Sequence, residues 1–473
     1  MMSLFASIRR NSISTIRNRR CAGENALKKG QVQFTGNLEL VESAIWYELF
    51  IDGPQPRQRK HVPVFSHARD GIMKIGYVLT VFPKLSETFV MNEMVELMQR
   101  KHEISVFSIS RPNERIVQPE VNAYNLTAKT HYLPFVSELV PTLSNTISLD
   151  ATTGKRPEFS AARRLYCVAA ARFFSRIVRR LDLDIIHAHF ANQATYTAML
   201  MSKYAGIPFT FTAHAIDLFD NPNVDSMKEK AAKSSAIITI SYFNRNYIHK
   251  LTGTSLERIH VVRACVLDKF KDFRRETQKG NRRRILTVAR LVETKGIRYG
   301  ILAVKKLTKR FPDIEYRIVG SGPLEAELDF LVKSLNLENN VRMLGELDAP
   351  LLVDEFEKAA LFLLPCVRTA SGDMDGIPVS LMEAMCLGIP AISTNISGIP
   401  ELIEDGKSGL LVEQKNAGQL AEAIETLLLD EGFASKIGCE GRKKVEESFN
   451  IHNEVGKLLR IWDEIRSRVQ VSR

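Results

Sequence analysis

The chain has 473 residues, 45% hydrophobic and 25% charged, enough for two or three domains that bury a large core. No window approaches the roughly 18 uninterrupted apolar residues needed to cross a bilayer. The formal charge is +11, but residues 1–30 carry seven Lys or Arg against Glu24 alone, so most of the excess describes a tail rather than a nucleic-acid surface.

That tail, residues 1–72 in all, is set apart as a basic N-terminal extension. Its first 30 residues are Arg- and Ser-rich and lack the apolar core of a secretory signal. They read as a disordered extension or a targeting segment, with a misassigned start codon as a third reading. The six cysteines (Cys21, Cys167, Cys265, Cys366, Cys386, Cys439) form no C-x-x-C pair. This argues against zinc and a disulfide framework and suits a reducing cytosol.

From Met73 short apolar runs alternate with helix-compatible stretches: "MKIGYVLT", "EISVFSIS", "DIIHAHF", "PFTFTAHA", "AIITIS" and "IHVVRA". That rhythm predicts a parallel, doubly wound α/β sheet over residues 73–267. One helix between them, "AARRLYCVAAARFFSRIVRRL", sets Arg172, Arg176, Arg179 and Arg180 opposite Phe173, Phe174, Ile177 and Leu181. It reads either as a solvated basic face or as a membrane-surface contact. After a charged linker at 268–284 the pattern restarts over 285–449 with "ILTVARL", "EYRIVGSG", "NVRMLGE", "ALFLLP", "PAIST" and "SGLLV". Residues 450–473 read as a terminal helix with Val455, Leu458, Leu459 and Trp462 on its apolar face. Two such halves offer a cleft between facing strand ends, where ligands of doubly wound sheets bind.

Three loops of the second half fall at strand ends. "VARLVETKG" carries Arg290 and Lys295, and "VGSGP" carries Gly320 and Gly322. Two cations can neutralise a diphosphate without a metal; the plainer readings are surface charges and a tight turn. In "SGDMDGIPVSLMEAMCLGIPAIST" a helix is predicted from Pro378 to Leu387, stopping at Gly388. Its free N–H groups make an anion site. Asp375 precedes that helix and Glu383 lies inside it. The rise from Pro378 to Glu383 is roughly 7.5 Å, and the loop adds to it. A shared water or proton, as in a glycosidase pair, is therefore disfavoured. The two carboxylates read as grips on two parts of one long ligand, against the plainer reading of a dipole charge and an ion pair. His187 and His189 share one strand face, but no third metal ligand is evident; they read as structural or acceptor-facing.

As an ordered set, "YVLTVFPKLSETFVMNE", "HAHFA", "GIPFTFTAHAIDLF", "VARLVETKG", "VGSGPL" and "DMDGIPVSLMEAMCLGIPAISTNISGIPELIEDGKSGLLV" resemble the GT-B-fold retaining glycosyltransferases of family 4 (glycosyl transferase group 1). The likeness is nearest to their colanic-acid and exopolysaccharide branch and covers about residues 73–465. It implies two Rossmann-like domains facing across a cleft and a metal-independent enzyme of hexosyltransferase type. That enzyme would move a sugar from a nucleotide-diphosphate sugar to an acceptor hydroxyl. By the same resemblance Arg290 and Lys295 hold the diphosphate. Asp375, the first acid of an E-x7-E pattern, binds sugar hydroxyls with the N–H groups of Gly376, Ile377 and Val379 around Pro378. Glu383 holds the ribose, His214 reaches the sugar from the first half, and Ser86, Glu87 and Thr88 approach the acceptor. The implied partners are a nucleotide sugar and a lipid-linked saccharide, with no cofactor and no nucleic acid. The implied location is cytoplasmic, with peripheral contact at the inner membrane face.

Two departures stand out: Asp375 replaces the family's usual Glu, and Val266 replaces a glycine, where a positive φ would be strained. A sugar-nucleotide epimerase of the same fold, or a non-catalytic nucleotide-sugar-binding protein, are the alternatives.

Overall fold

The computed structural model describes residues 71–113, 117–134, 159–220, 222–266 and 283–471. The expectations for residues 1–70 therefore lie outside the described residues, as does the linker expected at 268–284 except for Arg283 and Arg284.

The first half runs β1 (Lys74–Val81), α1 (Thr88–Gln99), β2 (Glu103–Ser110), α2 (Pro119–Ala123), β3 (Thr130–Tyr132), α3 (Ala161–Leu181), β4 (Ile185–His189), α4 (Gln193–Ala205), β5 (Phe209–Ala213), α5 (Ile216–Phe219), α6 (Val224–Lys233), β6 (Ala236–Thr239), α7 (Tyr242–Thr252) and β7 (Ile259–Val261). Its seven strands lie in the order β3-β2-β1-β4-β5-β6-β7, and every pairing is parallel. Strands β4, β5 and β6 are buried at every residue, because helices cover both faces of a doubly wound sheet.

The second half repeats the plan with β8 (Arg284–Val288), α8 (Ile297–Leu307), β9 (Glu315–Val319), α9 (Glu325–Ser334), β10 (Val341–Gly345), α10 (Ala349–Lys358), β11 (Leu361–Leu364), α11 (Val379–Cys386), β12 (Ala391–Thr394), α12 (Ile399–Leu402), β13 (Leu410–Val412), α13 (Ala417–Leu429) and α14 (Glu431–Ser448). The strand order is β10-β9-β8-β11-β12-β13, again parallel. In both sheets the order reverses beside the first strand, between β1 and β4 and between β8 and β11. A crevice opens at the carboxyl ends of strands at such a switch point. Every candidate loop except "VGSGP" follows one of these four strands or, for His214, the neighbouring β5; "VGSGP" follows β9.

The closing helix, α15 (Ile451–Val471), returns to the first half. Trp462 is fully buried and its indole Nε1 donates to Thr210 Oγ1 on β5 at 3.0 Å. At the start of α15, His452 Nδ1 pairs with Glu96 Oε1 of α1 at 2.8 Å. Asn450, just before it, bridges in parallel to Val266. Val266 is buried and is not among the residues with positive φ. The strain expected from the lost glycine is absent, because valine sits there in an extended bridge.

The basic face of α3 is partly tied down. Arg172 stacks over the Tyr204 ring at 5.7 Å, and Arg179 donates to the Tyr204 carbonyl, while Arg176 and Arg180 are exposed. Among the described residues no helix is long and apolar enough to cross a membrane.

Candidate active site

Lys295 owes its position to a glycine. It ends a short 3-10 turn, Glu293–Lys295, and Gly296 follows at φ +62°. A Cβ on Gly296 would lie 2.0 Å from the Pro365 carbonyl oxygen, so only glycine lets this turn press against the end of β11. Lys295 thereby meets the loop after β11, and its Nζ donates to Asp375 Oδ1 at 2.9 Å. Burial works against the lysine charge, but the Asp375 carboxylate outweighs it and holds the ammonium above its ordinary range. The other oxygen, Asp375 Oδ2, accepts from the Cys366 thiol at 3.4 Å. Burial, with the neighbouring carboxylate adding to it, pushes that thiol well up and keeps it a donor.

The glycines of "VGSGP" serve packing. Gly320 has φ +130°, and a Cβ there would stand 2.0 Å from the Ala289 carbonyl oxygen; one on Gly322 would stand 2.6 Å from that of Leu291. The loop closes on its neighbour through Leu291 N–H to Ser321 O at 2.8 Å. These contacts hold the residues on either side of Arg290, whose own side chain is exposed. The Arg290 charge is close enough to act on both Lys295 and Asp373.

Helix α11 begins one residue later than the sequence suggests. Pro378 is the extended residue before the helix (φ −66°, ψ 129°), and no side chain caps the N-terminus. The helix stops where expected. Gly388 is left-handed at φ +72°, with Gly388 N–H to Met385 O at 2.9 Å and Ile389 N–H to Ala384 O at 3.0 Å, a Schellman ending. The first-turn N–H groups thus have no side-chain cap, and they follow Asp375, Gly376 and Ile377 directly. Glu383 lies half-buried within α11.

The first half meets this loop. A Cβ on Gly376 would come within 2.7 Å of Ile240 Cδ1 and 3.6 Å of Ala215 Cβ, which brings the residue after His214 against the Asp375 loop. His214 is 6% exposed and lies between the rings of Phe89 and Phe190, each 4.6 Å away. Its N–H donates to Asp217 Oδ1 at 3.0 Å, and Asn244 Nδ2 donates to its carbonyl. Burial, aided by the neighbouring His189, holds its imidazole well below the ordinary value, so it is neutral. Ser86, Glu87 and Thr88 lie between β1 and the start of α1, where Glu87 pairs with Lys84 at 2.9 Å. Thr88 is followed directly by Phe89, the ring against His214.

Three functional neighbours escape the sequence reading. Cys366 and Asp373 are two: Asp373 is pushed up by burial and by the nearby carboxylates Asp220 and Asp375. The third, Glu93, corrects the expectation that no third ligand stands by His187 and His189. Its carboxylate and the two imidazoles offer ligand atoms within 4.8 Å of one another. Those atoms already have partners. Glu93 Oε1 accepts from Tyr77 OH at 2.6 Å, and His187 uses Nδ1 on Thr210 at 2.8 Å and Nε2 on Thr212 at 3.0 Å. An acid among the apolar residues of "TFVMNEMVELMQ" was the available signal.

Comparison with known proteins identifies the family and the fold. Residues 268–444 match the family of glycosyl transferases group 1, and residues 86–266 match glycosyltransferase family 4. WcaL of Escherichia coli, by name a colanic acid biosynthesis glycosyltransferase, is 31% identical over 410 residues, 82% of this chain and 99% of WcaL. The amylovoran biosynthesis glycosyltransferase AmsK of Erwinia amylovora is 29% identical over 83% of this chain and 100% of its own. Among solved structures, HepE of Anabaena in complex with UDP aligns with a TM-score of 0.63 at 16% identity, over 83% of this chain and 100% of HepE. Two parallel Rossmann-like sheets, the paired loops of the second half and near-complete coverage of these relatives lead to one conclusion: the chain belongs to the family 4, group 1 glycosyltransferases and is a transferase enzyme of GT-B fold.

Proposed function

We propose that this enzyme transfers a sugar, with retention at the anomeric carbon, from a nucleotide-diphosphate sugar to an acceptor hydroxyl in polysaccharide or glycolipid synthesis. The observation that carries the reading is the contact of Lys295 with Asp375 at the switch point of the second sheet, beside the uncapped start of α11. Exopolysaccharide relatives and a UDP-bound structural neighbour support it from outside the chain.

In this reading Arg290, Lys295 and the first N–H groups of α11 hold the diphosphate and stabilise its charge as it leaves. Preorganised donors of this kind supply the largest share of catalysis in many enzymes. Two cations and a helix N-terminus do the neutralising that a divalent ion does elsewhere, so transfer needs no metal. Asp375 is engaged by Lys295 and Cys366, which suits a carboxylate that grips sugar hydroxyls rather than one that attacks carbon. Departure and attack then occur on the same face, and the leaving phosphate accepts the acceptor's proton. Glu383, further along α11, holds the ribose, and His214 faces the sugar from the first half. Closure of the halves excludes water. The acceptor in this reading is a lipid-linked saccharide at the cytoplasmic membrane face, met through Arg176 and Arg180 of α3.

The test is to incubate the protein with isotope-labelled nucleotide sugars, with and without saccharide acceptors, and to read the anomeric configuration of product by NMR. Transfer with retention is expected. Inversion would discard the same-face route, and epimerised donor without transfer would discard the reaction.

A further inference from the structure

The buried histidines of the first half form a line that ends at a carboxylate. His189 Nε2 is 3.3 Å from Glu93 Oε1, and His189 Nδ1 is 3.0 Å from His214 Nε2. The side chains involved are nearly dry: His189 is 2% exposed, and the Glu93 side chain 13%. From these contacts we propose that Glu93 and His189 are positioning residues that select the tautomer of His214 for sugar transfer. The inference rests on the reading of His214 as a donor-sugar contact.

The argument is one of donors and acceptors. The Glu93 oxygen already accepts from Tyr77 OH, and in this proposal it accepts from His189 as well, whose single ring proton sits on Nε2, facing Glu93. In a neutral ring the Nδ1 atom is then a lone pair. It accepts from His214, whose proton is therefore on Nε2. The remaining ring atom, His214 Nδ1, has no partner among the described residues and is an acceptor, fit to receive a sugar hydroxyl. Without these hydrogen bonds an imidazole samples both tautomers, and a fraction of the molecules would present a donor instead.

The groups facing the line are few. Tyr77 OH donates to the same Glu93 oxygen at 2.6 Å and its ring stacks on His189 with centroids 5.8 Å apart. His187 lies edge-on to His189 at 4.9 Å, with both nitrogens on threonine hydroxyls. Asp217 takes the backbone N–H of His214. None of these offers His189 a second acceptor, so Glu93 sets the direction of the line. A cation held by Glu93, His187 and His189 would put the His189 lone pair on Nε2 and reverse the line.

The experiment is two-bond 1H–15N NMR of histidine-labelled full-length protein, assigned with a His214→Gln variant. It needs no substrate, so it succeeds or fails apart from the transferase reading. Wild type is expected to show His214 protonated on Nε2. Glu93→Met, which removes the acceptor, should leave His214 in both tautomers and lower kcat about 10- to 100-fold with a smaller change in donor KM. Glu93→Gln keeps an acceptor oxygen and should restore the tautomer and recover at least tenfold of kcat over Met. A wild-type His214 protonated on Nδ1 would overturn the proposal, whether or not Glu93→Met folds. So would stoichiometric metal in the purified protein, or a Met variant with wild-type tautomer and kcat.

Discussion

Mild acid should loosen the first half of this protein through two histidines. His187 is fully buried and His214 is 6% exposed. Burial, together with the neighbouring imidazoles, holds both well below the ordinary value of 6.5 in the folded state. In the unfolded chain each takes up a proton as the pH passes below 6.5, while the folded rings stay neutral. The unfolded state thus binds more protons, and stability falls as pH falls; above 6.5 both states are neutral and the effect is absent. For rings that stay neutral to pH 5.5, each histidine costs about 1.4 kcal/mol between pH 7.5 and 5.5, and the pair about 2.7 kcal/mol. Asp217, whose carboxyl burial pushes up, acts with the opposite sign, but in the carboxylate range near and above its ordinary 3.8. The half-buried His102, His131 and His260 are lowered by burial and add to the loss. Urea unfolding at the two pH values, followed by tryptophan fluorescence in a Trp46→Phe background, reads the change where it arises, because the Trp462 indole lies 5.3 Å from the His187 ring. His187→Gln should remove about half of the pair's pH dependence. Equal stability at pH 7.5 and 5.5, or an unaltered dependence in that variant, would refute the reasoning.

Two substitutions test how the fold sets the site. Gly320→Ala places a Cβ against the Ala289 carbonyl at a φ that L-residues rarely adopt; the backbone strain alone is about 1–3 kcal/mol. The Arg290 loop should move, so calorimetry should show weaker nucleoside diphosphate binding together with a lower melting temperature, and unchanged binding would contradict the packing role. Trp462→Ala empties a fully buried site and takes the indole donor from the Thr210 hydroxyl, which keeps His187 as a partner, and should cost about 3–5 kcal/mol in urea unfolding. A loss below 1 kcal/mol would mean that α15 is not integral to the first half.

The elements were largely legible in the sequence. Runs such as "DIIHAHF" and "ALFLLP" are short, continuously apolar and bounded by turn residues, because strands covered on both faces leave no polar alternation. Gly388 marked the end of α11 through its left-handed conformation, while Pro378 misled by one residue, since a proline suits the position before a helix as well as the first one in it. The loops at the strand ends placed Arg290, Lys295 and Asp375 near one crevice, because topology puts successive strand ends on one edge. What stayed hidden was contact between distant residues. Lys295 meets Asp375 across 80 positions, His189 meets Glu93 across 96, and Trp462 meets Thr210 across 252. No local period encodes such pairs. The concern over Val266 dissolved for the same reason: its partner Asn450 is far along the chain.

The central claim is that the strand ends of the second half grip a nucleotide diphosphate through Arg290 and Lys295. Calorimetry of wild type and Arg290→Ala with a panel of nucleoside diphosphates and the matching monophosphates tests it directly. Wild type should prefer the diphosphate of one base, and Arg290→Ala should bind that diphosphate about 10- to 100-fold more weakly, a loss of about 1.4–2.8 kcal/mol, while monophosphate binding barely changes. An unchanged diphosphate affinity in Arg290→Ala would contradict the account.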